Sequence, residues 1–297
     1  MREQRDLVIP CAGAGLPATL TLPSGELVGL IVTLHPASDG SRDQPLMAHL
    51  ASVAPSLGVA VLRYDRRSQE EGRGVPFDLQ LDDLHHALAI AGSECGGVPV
   101  GLWGFSQGAW IAVMAASERA FFGLVLIGFS AVSPAEQMRF GTAEQLRRAG
   151  YGEDVEAELG RLRGAWEAFQ RGQLARDELQ ASIDRVAAEP WFELSWVPRE
   201  APDQATWRDM DFDATPFMER LACPVLALYG ERDEWVPVEE CVRRWHALPA
   251  AAALVEVGVF ADAPHDLASP SDPDLPDPRY ERALIDWLMR RAPAALD

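Results

Sequence analysis

A serine flanked by glycines, in the pentapeptide GFSQG at positions 104–108, is the first candidate for chemistry in this sequence. Gly-x-Ser-x-Gly recurs by chance, so its surroundings decide what it means. The apolar run VPVGLW precedes it and AWIAVMAA follows it, which predicts a strand, a tight turn and a helix. That order is typical of a nucleophile elbow, whose turn lifts the serine hydroxyl above the carboxyl edge of the sheet. We therefore predict that Ser106 is a nucleophile, the alternative being a serine that caps the helix.

A serine hydroxyl is a weak nucleophile at neutral pH and needs a base, which an acid in turn orients. Where an elbow of this type occurs, the order along the chain is serine, acid, histidine. The run PVLALYG leads into ERDEWVP, which places Asp233 after a strand, and LVEVGVF leads into ADAPHDL, which places His265 after the next one. Both loops open at the edge where Ser106 emerges, so the three residues form the predicted triad.

Other acids compete with Asp233 for the role of orienting the base. Glu231 and Glu234 lie in the same turn but point differently, and Asp262 belongs to the loop of the histidine itself. The sequence favours Asp233 and leaves these alternatives open.

Among the histidines, only His265 follows a strand at the expected edge. His35 ends a predicted strand and is expected to brace the loop after it. The others fall on predicted helices and are expected to be structural or solvated: His49, His85, His86 and His246.

The helix that follows Ser106 would direct its N-terminal dipole toward the reacting carbonyl. The backbone N–H of Gln107 would then point to the position of an oxyanion. We therefore predict Gln107 as one oxyanion-hole donor.

The elements that must position these residues alternate along the chain. Apolar runs typical of strands buried on both faces occur at 27–36, 59–67, 98–106, 121–130, 223–233 and 254–260, with helical segments between most of them. Strands alternating with helices predict an α/β fold, with a mostly parallel central sheet flanked by helices. The opening segment is typical of an antiparallel pair at one edge.

A long interruption separates two consecutive sheet strands. Residues 131–222 contain three helical patterns, the last ending at Pro190, and then an aromatic and proline-rich stretch. This is too long for a plain crossover. We interpret 131–222 as an inserted helical cap on a core formed by residues 1–130 and 223–297.

The composition excludes several classes of function. The 297 residues carry a formal net charge of −19, which disfavours nucleic acid and anionic membranes as partners. No apolar run has the length of a membrane span or of a signal peptide. The four cysteines lack a C-x-x-C spacing, so we expect no metal site. Cys11 and Cys223 are expected to be small buried residues. A cytoplasmic protein is the simplest interpretation, and the oligomeric state stays open, a homodimer included.

Five segments together resemble the α/β-hydrolase superfamily: TLHPASDGSRD, LRYDRR, GFSQG, YGERDEWVP and APHDL. The closer likeness is to capped bacterial serine esterases and peptidase-like hydrolases, with SPAEQ at the cap entry. The resemblance implies acyl transfer to Ser106, hydrolysis of the acyl-enzyme by water, and no cofactor. Pro36 stands where the family usually has glycine after the oxyanion-loop histidine, and proline has no N–H. The second donor is therefore expected to be Ala37, or else Ser38.

The leading hypothesis is a serine hydrolase that cleaves carboxylic esters of small to medium apolar substrates. Amides or peptides, thioesters and lactones are alternatives for the same triad, and a ligand-binding receptor without turnover is an alternative from another class. Arg66 and Arg67 follow a strand end, and we expect one of them to pair with Asp65 or a cap acid rather than with a substrate carboxylate.

Overall fold

An eight-stranded sheet forms the centre of the computed structural model, which describes residues 3–11, 13–67, 74–249 and 254–292. The strand order is β1-β2-β4-β3-β5-β6-β7-β8, and a two-stranded ribbon, β9–β10, lies apart from it. The strands are β1 (Glu3–Cys11), β2 (Ala14–Leu22), β3 (Gly29–Leu34), β4 (Val59–Tyr64), β5 (Val100–Phe105), β6 (Leu124–Ile127), β7 (Val225–Gly230), β8 (Val255–Phe260), β9 (Ala268–Ser269) and β10 (Asp272–Pro276).

Strand directions follow the expectation from the sequence. β1 pairs with β2 antiparallel, β2 pairs with β4 antiparallel, and all pairs from β4 to β8 are parallel. The prediction of a mostly parallel sheet with an antiparallel pair at one edge is therefore confirmed. Parallel strands all end at the same edge, so the loops after β3, β5, β7 and β8 lie near one another.

Helices cover both faces of this sheet. Helices α2, α3 and α8 share one apolar core with the sheet, and α1 and α9 share the other. Neighbouring residues of one strand alternate between them, as Leu30 and Ile31 of β3 do. The helices are α1 (Pro45–Val53), α2 (Phe77–Glu94), α3 (Gln107–Ala116), α4 (Pro134–Arg148), α5 (Glu153–Gln170), α6 (Arg176–Asp184), α7 (Thr215–Met218), α8 (Val238–Ala247) and α9 (Pro278–Arg291), with 3₁₀ turns at Ala54–Leu57 and Phe192–Ser195.

The strand β8 departs from the prediction that the strands are buried on both faces. β3, β4 and β7 are buried throughout, whereas β8 is mostly half-buried and Val259 is 46% exposed. β8 is the last strand of the sheet and has a neighbour on one side only. An apolar run in the sequence does not distinguish such an edge strand from a central one.

Helices α4 to α7 all lie in the chain between β6 and β7. Helix α4 begins with a capping box, in which Ser133 Oγ accepts from the Glu136 N–H (3.3 Å) and Glu136 Oε2 accepts from the Ser133 N–H (3.0 Å). Side chains from α4, α5, α6 and the following turn form an apolar core of their own, separate from the two sheet cores.

The prediction that the third helix of this region ends at Pro190 is wrong. Helix α6 ends at Asp184, and the chain continues in turns. After Asp184 the chain tightens into a turn, in which the N–H groups of Val186 and Ala187 both donate to Ile183 O (3.0 and 2.8 Å), and Arg199 Nη1 donates to the Ala187 carbonyl oxygen (2.6 Å). That carbonyl is thereby held by a side chain from outside the helix.

The four cysteines are buried and free, as expected for Cys11 and Cys223. In the described part of the chain, no helix combines the length and the apolar character that crossing a membrane would require.

A buried hydrogen bond links the strand and the helix on either side of the Asp233 loop. Trp245 Nε1 in α8 donates to the Tyr229 hydroxyl in β7 at 2.8 Å, and neither residue is exposed. Tyr229→Phe should lower the free energy of unfolding by about 1–3 kcal/mol, because it leaves the indole N–H without an acceptor. Urea denaturation measures this, with Tyr151→Phe, at a half-buried tyrosine, as the control. Equal stability of Tyr229→Phe and the wild type would show that the bond contributes nothing.

Candidate active site

Ser106 occupies a strained turn between β5 and α3. Its φ is 51° and its ψ is −115°, a conformation that non-glycine residues seldom adopt. Ser106 stands at the N-cap position, yet its side chain makes no capping hydrogen bond. The structure therefore does not support the interpretation of Ser106 as a helix cap.

The two glycines of the elbow are required by close backbone approach. A Cβ on Gly104 would lie 2.6 Å from the Gly108 carbonyl oxygen, and one on Gly108 would lie 2.8 Å from the His35 nitrogen and even closer to Leu34. The absence of a side chain at Gly104 allows β5 to approach the start of α3, and its absence at Gly108 allows α3 to contact the end of β3. The elbow and the loop after β3 are thereby brought together.

Asp233 and His265 form a buried pair. Asp233 Oδ2 lies 2.7 Å from His265 Nδ1, while Asp233 Oδ1 accepts from the backbone N–H groups of Trp235 and Val236, both at 2.8 Å. The two backbone bonds fix the carboxylate, and the carboxylate orients the ring. With the proton on Nδ1, Nε2 is the nitrogen that can accept another proton.

The competing acids have other partners. Glu231 Oε2 accepts from the Asp262 N–H at 3.1 Å, and Glu234 Oε2 accepts from the backbone N–H of His265 at 3.4 Å. Of the four acids that the sequence offered, Asp233 is the one bonded to the imidazole.

Two opposing effects set the pKa of His265. Burial lowers it, but the carboxylate of Asp233, through its charge and its hydrogen bond, raises it, and Glu234 and Asp266 add to this. The net result is a pKa above the ordinary value for histidine. The negative environment therefore stabilises the protonated ring.

The ring of His265 lies beside the ends of β5 and β6. Its centroid is 5.2 Å from that of Phe105, and a Cβ on Gly128 would lie 2.7 Å from His265 Cε1. The Ser106 N–H donates to Ile127 O at 2.8 Å, so the serine and the histidine approach the same strand end. Among the described residues, no hydrogen bond joins Ser106 Oγ to His265.

Ala37, Ser106 and Gln107 line one cavity of about 310 Å³. Gln107 is the first residue of α3, and N–H groups of a first turn have no acceptor within their helix. The two predicted oxyanion-hole donors and the predicted nucleophile therefore share a cavity.

Arg66 is a residue of this site whose role the sequence analysis missed. Its Nη1 donates to Pro36 O (2.7 Å) and Gln107 Oε1 (3.2 Å), and its Nη2 donates to Ala37 O (2.9 Å). Gln80 Nε2 donates to the same Gln107 oxygen at 3.1 Å. Arg66 thus ties the loop after β3 to the start of α3. The available signal in the sequence was the position of Arg66 two residues after the end of β4, the strand beside β3.

The expectation that Arg66 or Arg67 pairs with Asp65 or a cap acid is wrong. Asp65 Oδ1 accepts from the Arg42 backbone N–H (2.8 Å) and Asp65 Oδ2 from its guanidinium (3.3 Å), so this carboxylate is already engaged. Arg67 instead pairs with Asp83 of α2, whose side chain is buried.

His35 lies under the same loop. It is buried, and its ring meets the Tyr64 ring edge-on, with centroids 5.2 Å apart. Burial, with a contribution from the Arg66 charge, lowers the pKa of His35 to about 3. His35 is therefore neutral at physiological pH and supports the loop by packing.

Three histidines on helices lie near acidic side chains: His49 (Glu281), His85 (Glu118) and His86 (Asp82).

Comparison with known proteins places the chain in a family. A model of the alpha/beta hydrolase family matches residues 31–291. A search of curated proteins found no match.

Solved structures share the fold at low sequence identity. Est1E from Butyrivibrio proteoclasticus is 17% identical, with a TM-score of 0.62, over 96% of this chain and 98% of its own. A dienelactone hydrolase from Anabaena variabilis is 16% identical, with a TM-score of 0.60, over 98% and 99%. A proline iminopeptidase from Mycobacterium smegmatis is 17% identical, with a TM-score of 0.61, over 97% and 99%. At such identities the likeness shows the fold, and the predicted α/β-hydrolase fold is confirmed.

Asp233→Asn should lower the pKa of His265, because it removes the carboxylate that most strongly opposes the effect of burial. NMR titration of the imidazole signals measures the shift, and His265→Ala identifies the resonance. Asp266→Asn is the control and should lower the pKa less, since that carboxylate contributes least of the three. An unchanged pKa in Asp233→Asn would contradict the pairing.

Proposed function

Because the chain belongs to the alpha/beta hydrolase family, we propose that it is a serine hydrolase that cleaves carboxylic esters of small to medium apolar substrates. The observation that carries the proposal is the strained Ser106, held at a strand end beside the buried Asp233–His265 pair. A positive φ at a non-glycine residue is energetically unfavourable, and Ser106 makes no capping bond that would compensate for it. The presentation of a nucleophile accounts for this strain.

The proposed reaction begins with attack of Ser106 Oγ on the ester carbonyl carbon while His265 Nε2 accepts the hydroxyl proton. The charge that develops on the carbonyl oxygen is stabilised by the N–H groups of Gln107 and Ala37. Collapse of the tetrahedral intermediate breaks the ester C–O bond, and His265 returns the proton to the leaving alcohol. Water, deprotonated by His265, then attacks the acyl-enzyme and releases the carboxylic acid and the free serine.

The walls of the cavity support an apolar substrate. Aromatic and thioether side chains from both the sheet region and the helical region contribute most of its large groups: Phe77, Trp110, Met138, Trp166, Trp196 and Trp207. Ligand pockets of this kind bind apolar groups and use a few polar atoms to orient them.

We also propose that residues 131–222 act as a cap over this cavity, on a core of residues 1–130 and 223–297. The helical region has its own apolar core, which supports treating it as a distinct unit. Met138 of α4 and Trp166 of α5 line the same cavity as Ser106, which supports a covering role.

Ser106→Ala should reduce hydrolysis of p-nitrophenyl acyl esters by at least about 10³-fold with the fold intact, because the nucleophile is lost. Ser117→Ala, at the other end of α3, is the matched control and should keep its activity. A fluorophosphonate probe should label the wild type and Ser117→Ala but not Ser106→Ala. Full activity in Ser106→Ala would overturn the proposal, and a folded wild type that is neither labelled nor active would favour a receptor.

Gly128→Ala should lower kcat/KM about tenfold to hundredfold, because its Cβ would displace the His265 ring from the nucleophile. Gly128 has a φ of +56°, so backbone strain is part of the change. Gly172→Ala provides the control: its φ is +70° and nothing lies within 4 Å of its added Cβ. Steady-state kinetics of both variants separates the effect of backbone strain from that of displacing the His265 ring. Equal losses of kcat/KM in Gly128→Ala and Gly172→Ala would contradict the displacement of His265.

A further inference from the structure

Arg163 is a buried arginine on the wall of the cavity that contains Ser106. It lies on α5 and is 2% exposed. It lines the cavity together with Ser106, Trp166 and Trp207. A charged side chain is seldom buried to this extent unless a partner neutralises it.

The hydrogen bonds of Arg163 leave most of its donors unused. Nη1 donates to Ser195 O at 3.3 Å, while Nε and Nη2 are buried and have no partner among the described residues. The guanidinium carbon lies 5.8 Å from the centre of the Trp207 ring, which adds a weak attraction. A guanidinium has five N–H groups in a planar fork that suits a carboxylate.

The carboxylate whose charge acts on Arg163 is already bonded to other arginines. Glu167, one turn later on α5, is buried, but Arg139 and Arg171 both bond to it. Burial lowers the pKa of Arg163 to about 10, with Glu167 acting in the opposite direction, so the side chain stays charged at neutral pH. In a chain with a net charge of −19, an unneutralised buried cation on this wall requires an explanation.

Two other charged residues line the cavity. Arg208 donates to Asp78 at the surface (3.1 Å). Asp209 accepts from the Phe77 N–H (3.1 Å), and burial raises the pKa of its carboxyl group. Both have protein partners, whereas Nε and Nη2 of Arg163 have none in the part of the chain that the structure describes.

We propose that Arg163 binds a free carboxylate on the substrate, remote from the scissile ester, so that the enzyme prefers monoesters of dicarboxylic acids. This inference rests on the function proposed above and narrows its substrate class. The apolar walls would contact the chain between the two carbonyl groups. The guanidinium would bond the free carboxylate through two N–H groups.

The test compares matched esters. Mono-p-nitrophenyl esters of dicarboxylic acids, from adipate to sebacate, are assayed beside neutral esters in which an isopropyl group replaces the carboxylate. The wild type should show a higher kcat/KM for the charged ester at one chain length. Arg163→Met should lower that value about tenfold to hundredfold, mostly through KM, and leave the neutral ester within about twofold. Arg163→Lys should retain part of the preference.

Arg161→Met is the matched control on the same helix. Arg161 is exposed, pairs with Glu158 and does not line the cavity, so its loss removes one positive charge without touching the proposed site. The preference of Arg161→Met for the charged ester over the neutral ester should equal that of the wild type. Turnover of neutral esters without any preference in the wild type would overturn the inference and leave the proposed function standing. Equal losses for both esters in Arg163→Met would also overturn it.

A binding measurement separates the inference from catalysis and from folding. Calorimetry on Ser106→Ala, which cannot turn the esters over, should show that the charged monoester binds at least about tenfold more tightly than the matched neutral ester. The two ligands share the same ester group, so contacts at the triad and the oxyanion donors contribute equally to both. This measurement needs no Arg163 variant, so it also tests the inference if Arg163→Met does not fold. Equal affinity for the two esters would overturn the carboxylate site.

Discussion

The start of α3 approaches the end of β3 so closely that backbone meets backbone, and most of the proposed site depends on this contact. Gly108 makes this approach possible, and Gly104 allows β5 to approach α3, since a side chain on either would overlap main-chain atoms. The turn between them forces Ser106 to a positive φ. The same contact places Gln107 within reach of Arg66, which in turn holds the carbonyls of Pro36 and Ala37. A side chain at Gly108 would therefore disturb the nucleophile and both proposed oxyanion donors together.

The acid and the base follow strands on the other side of β5, and hydrogen bonding together with burial positions them. Asp233 follows β7 and is fixed by the N–H groups of Trp235 and Val236. His265 follows β8, the half-buried edge strand; Asp233 orients its ring, and the absence of a side chain at Gly128 leaves room for it. An edge strand supplies little packing of its own. The ring is therefore held mainly by its carboxylate partner and by its burial.

Residues at strand ends could be predicted from the sequence because parallel strands finish at one edge. An apolar run precedes each of Ser106, Asp233 and His265. Their positions after predicted strands were therefore sufficient to predict that they lie close together. Arg66 and Arg163 could not be assigned in this way. Their roles depend on which carbonyls and carboxylates meet them in space, and neither local spacing nor residue type encodes that. Nor did the sequence reveal that α6 ends at Asp184, before Pro190.

The half-buried Arg66 and the buried Arg163, both near the cavity, illustrate how hydrogen-bond partners distinguish a structural from a binding role. Burial lowers the pKa of both. Arg66 donates to two backbone carbonyls and one side-chain oxygen, so its guanidinium stabilises the loop after β3. Within the described residues, Arg163 has one long bond, to Ser195 O, and Glu167, one turn away, is bonded to two other arginines. A buried cation with unused donors is unfavourable in the unliganded protein. An anionic group in the cavity would relieve that cost, which makes Arg163 a means of selecting substrates rather than a support for the cap.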